Sequence, residues 1–366
     1  MPADQGAQRS NLALVAHLRE TGALTDPRVA AAFRDVPRHR FLPGRRLSEI
    51  YEDAAILTEV GEQGVPMSSS SQPAIMAVML EQLDPRPGHR VLEVGAGTGY
   101  NAALLAHLVG PNGSVVSVDI DEDLCAQARA NLAGAGVEGV EVVQADGAHG
   151  WPAGAPYDRI ILTASATDLA CAWVDQLAPG GRLVLPLILV GPTQLSVALE
   201  KRDRFLASRS VAWCGFMPLR GAMAAGADPS EAPERLPGWL AGPGSPADVE
   251  VPAADLRAGF ESWLALTHED YVRLRPRAED PPVFGLADDG GAALVVAYDG
   301  GYAVRLYGEA SAPAARLAAA RREWARRRPR ADKLRVAAFP SEGDRPAGVA
   351  GRLVRRERFT FAVSWG

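Results

Sequence analysis

Compact apolar runs and helical apolar stripes take turns through the middle of this chain. Residues 90–95, 114–119, 140–144, 158–163 and 182–188 are short apolar runs, whereas 100–109, 122–133 and 168–177 place apolar residues three or four apart. The first pattern reads as buried strand and the second as helix. Their alternation predicts an α/β fold, a doubly wound, Rossmann-like parallel sheet with right-handed crossovers. Two further runs, near 195–201 and 208–216, are expected to close it as antiparallel edge strands.

The flanks are patterned differently. Upstream, an amphipathic run from Asn11 to Thr21 stops near Gly22, and Pro27, Pro37 and Pro43 punctuate the residues after it. Residues 51–73 are turn-rich, and a helix over 74–83 carries Ile75, Val78, Met79 and Leu83 at helical spacing. Downstream, residues 221–255 have the Gly, Ala, Pro, Ser and Asp content of a linker. Beyond it, residues 293–298 and 302–307 around Asp299-Gly300-Gly301 predict a hairpin. Pro313 is placed to open a helix that runs to Arg328, and strands near 334–339 and 359–363 are expected to complete a smaller C-terminal α+β lobe. The expected division is 1–89 for an N-terminal helical and substrate-loop segment, 90–221 for a cofactor-binding core, 222–255 for the linker, and 256–366 for a substrate-recognition lobe.

The candidate chemistry starts where the first of these strands ends. Arg90-Val91-Leu92-Glu93-Val94-Gly95-Ala96-Gly97-Thr98-Gly99-Tyr100 breaks into three glycines at alternate positions before a helix. A dinucleotide fingerprint would need G-x-G-x-x-G. Glu93, two residues before the first glycine, would repel a pyrophosphate and welcome a cation, which points to S-adenosylmethionine. Asp119-Ile120 closes the next strand, where an acid can accept both ribose hydroxyls. The third strand leads to Asp146-Gly147, suited to an adenine amino group.

Composition narrows the class without naming the substrate. Hydrophobic content of 47% and charged content of 22% are those of a soluble globular protein. No apolar run approaches 18 residues and Met1 to Gly6 lacks a basic-then-apolar signal, so a cytoplasmic protein with no membrane partner is expected. Cys125, Cys171 and Cys214 are scattered, and the six histidines show no ligand spacing, so neither disulfide nor metal is expected. The net charge of −6 conceals an asymmetry: between Ser311 and Arg358, fourteen basic residues face five acids. The arginines at 321, 322, 326, 327 and 328 could dock an acidic peptide; alternatively Leu317 and Trp324 pack their helix against its own lobe. Nucleic acid is not expected as a partner, because the catalytic half is acidic and Thr163-Ala164-Ser165 stands where base-directed enzymes carry Asn/Asp-Pro-Pro-aromatic. The similar string Asp280-Pro281-Pro282-Val283-Phe284 lies far from the glycine loop and reads as a turn.

Six short segments, in order, carry a family resemblance. They are Val36-Pro37-Arg38-His39-Arg40-Phe41-Leu42-Pro43, Tyr51-Glu52-Asp53-Ala54-Ala55, Ser71-Gln72-Pro73, Asp146-Gly147-Ala148-His149-Gly150-Trp151, Leu162-Thr163-Ala164-Ser165 and Phe216-Met217-Pro218-Leu219-Arg220-Gly221. Over about Leu12 to Arg220 the chain resembles the protein-L-isoaspartate O-methyltransferases, class I enzymes dependent on S-adenosylmethionine. The resemblance implies cofactor contacts from Glu93, Gly95, Gly97, Thr98, Gly99, Asp119, Ile120, Asp146, Gly147 and Thr163. It implies acceptor positioning by Ser71 helped by Ser70, and substrate contacts from Ser69, Pro218, Leu219 and Arg220. Two features depart from the family: Ser69-Ser70-Ser71 replaces Thr-Ile-Ser, and the loop from Thr58 to Pro66 is long and acidic. With the added lobe, they tilt the expected acceptor towards aspartate in a ribosomally made peptide, as in an extended actinobacterial branch, with isoaspartyl protein repair as the alternative. A non-catalytic cofactor-binding scaffold is the second alternative.

Carboxylate methylation asks little acid–base chemistry of a protein. The acceptor, with a pKa near 4, is ionised at pH 7 and needs no general base. Hydroxyl or N–H donors that align it suffice. A serine before Gln-Pro could equally cap the next helix. Glu59 and Glu62 would repel the acceptor and are expected to face solvent or peptide backbone, while His39 and His149 are expected in structural or cofactor-side roles.

Overall fold

The computed structural model describes residues 2–61, 64, 66–191, 193–224, 238–240, 244–275, 281–298 and 301–365. Glu62, residues 225–237 and 241–243 of the expected linker, Asp280 and the Asp299-Gly300 turn lie outside the described residues.

The N-terminal segment is a helical layer. α1 (Pro2–Glu20) and α2 (Pro27–Asp35) bury Leu14, Leu18, Val29 and Phe33. Asp26 caps α2 by accepting from the Arg28 N–H, with Pro27 at the helix start, where a missing N–H costs nothing. Asn11 is buried in α1 because its amide donates to the Phe33 and Arg34 carbonyls at the end of α2. After the short α3 (Leu47–Ile50), the turn-rich stretch contains an antiparallel hairpin, β1 (Ile56–Val60) with β2 (Pro66–Ser70). α4 (Pro73–Leu83) comes next and buries Met76, Met79, Leu80 and Leu83.

The alternating units form as expected. They are β3 (Arg90–Val94), α5 (Tyr100–Val109), β4 (Ser114–Asp119), α6 (Glu122–Ala135), β5 (Val140–Gln144), β6 (Tyr157–Leu162), α7 (Cys171–Gln176) and β7 (Leu177–Ile188). The sheet runs β5-β4-β3-β6-β7 in parallel, then β8 (Gln194–Lys201) and β9 (Leu206–Cys214) antiparallel. Its chain order reverses beside β3, so the carboxyl ends of β3, β4 and β6 open onto a crevice.

Residues after 244 divide between two sheets, unlike the single lobe expected. β10 (Ser245–Pro246), α8 (Ala253–Arg257), α9 (Phe260–Thr267), β11 (Tyr271–Leu274), β12 (Val283–Ala287), β13 (Gly291–Tyr298), β14 (Gly301–Gly308) and α10 (Ser311–Arg327) build a separate five-stranded antiparallel sheet and its helices. The last strands, β15 (Leu334–Pro340), β16 (Arg352–Arg355) and β17 (Phe359–Trp365), instead continue the parallel-core sheet beyond β9, making it ten-stranded. The open backbone edge of β9 takes β15 at Ala207–Ala337 and Leu206–Ala338, while Val336, Phe359 and Phe361 join the apolar layer of Leu183, Leu199 and Leu206. Asp168, in the loop after β6, accepts from the Arg358 and Phe359 N–H groups and fixes that join.

α10 starts at Ser311, so Pro313 sits inside the first turn, where no intrahelical donor is lost. Leu317 and Trp324 are buried with Phe260 and Trp263, which realises the packing alternative. Arg321 and Arg328 both pair with Asp255, itself 1% exposed, at 2.7 and 2.5 Å. Those two arginines hold α10 to α8 and are not a free docking face. Arg327 pairs with Glu323. None of the described helices is long and apolar enough to cross a membrane.

Candidate active site

The site is built where β3 ends. Gly95 has φ +102°, and a Cβ there would strike the Thr163 hydroxyl, which donates to the Gly95 carbonyl at 2.8 Å. Only glycine lets the loop lie on the end of β6. Asp119, at the tip of β4, accepts from the Ala96 and Gly97 N–H groups with one oxygen, at 2.9 and 3.2 Å. Its other oxygen accepts from Asp121 N–H and stands 3.7 Å from Arg220.

A cavity of about 830 Å³ opens over this loop, lined by Gly95, Gly97, Asp119, Ile120, Gly147 and Thr163. Ser69 and Ser71 line it too, with Leu57, Trp213 and Pro218-Leu219-Arg220. A smaller recess of about 50 Å³ joins Ser69, Ser70 and Ser71 directly to Gly95, Gly97, Thr98 and Thr163. The two sets of residues chosen from sequence, cofactor-side and acceptor-side, therefore meet.

Several assignments change in detail. Glu93 lies beneath the loop, fully buried, accepting from Asn101 Nδ2 at 2.7 Å and Ser117 Oγ at 2.5 Å, and does not line the cavity. Side chains alternate along a strand, so Val94 faces the cavity and Glu93 cannot. Burial pushes the Glu93 carboxyl up to about 7, against the pull of the Ser117 and Asn101 hydrogen bonds. Asp146 gives one oxygen to Ala148 N–H and the other to Ala222 N–H, so its neighbour Gly147 forms the wall. Gly99 is the left-handed cap of α5, set against α6, and is absent from the cavity lining. Arg220 reaches Asp119 and Asp121 on the cofactor side and not the serines.

The serines separate by role. Ser70 is 4% exposed and its Oγ accepts from Arg38. Ser71 faces the cavity, and the cap of α4 comes from elsewhere: Asp53 accepts from Ala74 N–H at 2.8 Å and from Gln72 Nε2. Arg38, fully buried, was not singled out by sequence. It donates to the carbonyls of Ile50, Ser70 and Ser71 at 2.9, 3.3 and 2.9 Å, tying the serine run to the N-terminal layer. Tyr100 was also missed; its hydroxyl is buried without a partner and lines the recess beside the serines. Glu59 does not face solvent freely, since its Oε2 is buried and unpartnered. His39 bonds Tyr51 at 2.7 Å, and His149 is exposed; neither lines the cavity. Cys214 does, and burial pushes its thiol up to about 12, which keeps it un-ionised and a poor rival nucleophile.

Comparison with known proteins decides the family. Residues 9–224 match the model of the protein-L-isoaspartate(D-aspartate) O-methyltransferases, PCMT. The chain belongs to this family. The PCMT relatives include a protein-L-isoaspartate O-methyltransferase of Methanopyrus kandleri, 39% identical over 60% of this chain and 94% of its own. Another, from Methanoculleus marisnigri, is 44% identical over 54% and 84%. A solved protein-L-isoaspartate O-methyltransferase aligns over 97% of this chain and 99% of its own, with TM-score 0.57 and 27% identity. A Plasmodium falciparum structure described as a putative member of the family, in complex with S-adenosyl-L-homocysteine, shares the fold over 57% of this chain and 97% of its own, at TM-score 0.50 and 21% identity.

As a PCMT member the protein is an S-adenosylmethionine-dependent protein carboxyl O-methyltransferase. Its residues fit that cofactor. The volume is that of a small-molecule site, Asp119 lines it with its carboxylate, Ile120 and Leu124 add apolar wall, and at Gly97 the place of a Cβ is open, with only the Ser69 carbonyl within 4 Å, at 3.9 Å. Asp119 would hold the ribose, Ile120 and Gly147 the base, and the Gly95–Gly97 loop the amino-acid end. Among the described residues no cluster of three or more His, Cys, Asp or Glu is arranged to hold a metal.

Proposed function

We propose that the enzyme methylates the free carboxylate of L-isoaspartyl residues in proteins and peptides. The observation that carries this reading is Ser71, held in the cavity by Arg38 bonding to its carbonyl and facing the recess shared with the glycine loop. Bound S-adenosylmethionine supplies an electrophilic methyl group on a sulfonium. The chain supplies alignment: Ser71 donates to an already ionised carboxylate, and the apolar walls keep water from competing. No residue has to remove a proton. A methyl ester is a far better electrophile than a carboxylate, so the neighbouring amide nitrogen can expel methanol and close a succinimide, on or off the enzyme.

The relatives favour this acceptor over aspartate in a dedicated ribosomal peptide, the reading the serine run and added lobe suggested. The curated relatives carry the isoaspartate name, and so does a solved chain matched over nearly the full length, added sheet included. The deciding experiment offers matched peptides differing only in isoaspartyl or aspartyl linkage. Turnover of the isoaspartyl peptide alone is expected; turnover of the aspartyl peptide alone would reverse the assignment.

A further inference from the structure

Large apolar side chains left in water are few among the described residues, and three of them line the catalytic cavity: Ile120, beside the cofactor residue Asp119, and Leu57 and Trp213. Leu57 is 48% exposed on β1, and Trp213 is 42% exposed on β9. They belong to different sheets. Leu57 comes from the β1–β2 hairpin that also carries Ser68 to Ser70, and Trp213 from the antiparallel end of the main sheet. Met67, Pro66 and Phe216 add further apolar surface to the same lining, beside the polar Gln72 and Gln194. Leu57 pairs directly with Ser69 across the hairpin, and Trp213 lies three residues before Phe216, which shares the recess with Ser69, Ser70 and Ser71; this sets both beside the acceptor serines.

Trp213 is also where the added C-terminal residues come to the site. Leu195 pairs across from it on β8, and its outer ring edge lies against Gly259, between α8 and α9. Gly259 has φ +98°, and a Cβ built there would be 3.7 Å from Trp213 Cζ2 and 3.9 Å from Trp324 Cη2. Close by, Thr193 bonds Ser262 of α9, and Arg352 bonds the Ala265 carbonyl. The helix pair thus stands beside the indole at Gly259. A tryptophan kept exposed and braced in this way offers a flat, rigid apolar surface with little entropy left to lose on binding.

We propose that Trp213 and Leu57 form a subsite for an uncharged, preferably aromatic or branched, side chain next to the acceptor residue, and that the C-terminal addition tunes sequence preference by bracing Trp213. This rests on the isoaspartyl reading and names the peptide class it prefers. The occupant is a residue of the substrate because the subsite is continuous with the cavity that must receive the acceptor, and apolar surface here gains only when covered. Of the α10 arginines, Arg321 and Arg328 are held by Asp255.

The test is a set of short isoaspartyl peptides with Gly, Leu, Phe or Glu beside the acceptor, assayed for methyl transfer by the full chain. The wild type is expected to favour Phe and Leu over Gly roughly tenfold in kcat/KM, chiefly through KM. In Trp213→Ala the Phe-to-Gly ratio should collapse to within about twofold, and Trp213→Phe should restore part of it. Thermal melts of both variants separate this from unfolding, because a loss of fold lowers all four peptides together and leaves the ratio intact. Equal wild-type turnover of all four peptides, or an unchanged ratio in Trp213→Ala, overturns the subsite while leaving the acceptor reading standing. No methylation of any isoaspartyl peptide overturns both.

Discussion

Asp119 and Arg220 face each other at 3.7 Å on the wall of the cofactor cavity, the carboxylate from the end of β4 and the guanidinium from the segment after β9. One Asp119 oxygen is held by the Ala96 and Gly97 amides; the other accepts from a single backbone donor, Asp121 N–H, and keeps capacity for a ligand's hydroxyls. Asp119→Ala is expected to weaken S-adenosylhomocysteine binding by about 1–3 kcal/mol, through unpaired hydroxyls and a slackened loop. Isothermal titration calorimetry measures it directly. Affinity equal to wild type would move the ribose elsewhere.

Ser71 should separate chemistry from stability. Because Asp53 caps α4, Ser71→Ala loses no helix cap and should melt within about 1 kcal/mol of wild type. Turnover should fall roughly tenfold to a hundredfold, the loss of one hydrogen bond to a charged acceptor, with cofactor affinity nearly constant. Single-turnover rates and melts on one preparation answer the point; a stability loss without a rate loss would return Ser71 to a structural role.

Arg38→Ala should behave oppositely. It removes a buried cation from the carbonyls of Ile50, Ser70 and Ser71, so stability should drop by about 3 kcal/mol and turnover should fall with it. Arg38→Lys, which keeps the charge but not the fork, should recover little of either. Full recovery by lysine would show that charge alone matters there.

Glu93 gives the pH dependence a direction. Its carboxyl stays protonated in the fold up to about 7 against 4.5 for an ordinary glutamate, so the folded chain keeps a proton that the unfolded chain releases. Its effect on stability is fully favourable below about pH 4.5 and declines as pH rises through about 7. Glu93→Gln preserves the shape and keeps partners for Asn101 and Ser117, so its melting temperature should fall less than wild type's between pH 5 and 8. Parallel profiles for the two proteins would mean that the wild-type carboxyl ionises normally.

Sequence showed the catalytic core well because its strands are short apolar runs and its glycines sit at a strand end. It did not show the β1–β2 hairpin, whose Thr58, Glu59, Ser68 and Ser69 read as a polar turn. It could not show that Glu93 points away from the ligand, since spacing places a residue without giving its face. Arg38 left no pattern at all, because most of its partners are main-chain oxygens, which any sequence supplies. The pairing of β15 with β9 escaped for another reason: the local pattern marks a strand and is silent about a neighbour that lies far off in the chain.

That long-range pairing bears on how the molecule comes into being. While the chain is being synthesised, the half that carries all the chemistry emerges first, with the β9 edge bare and Leu199 and Leu206 uncovered. The strand that covers them starts at Leu334, and its outer neighbour β17 ends at Trp365. A nascent chain stopped short of those strands would present an open, apolar sheet edge, the kind of surface that seeds association between copies. Contacts spanning so much sequence also close slowly. The main sheet is therefore complete only after β15, far along the chain from β9, has been made and has paired.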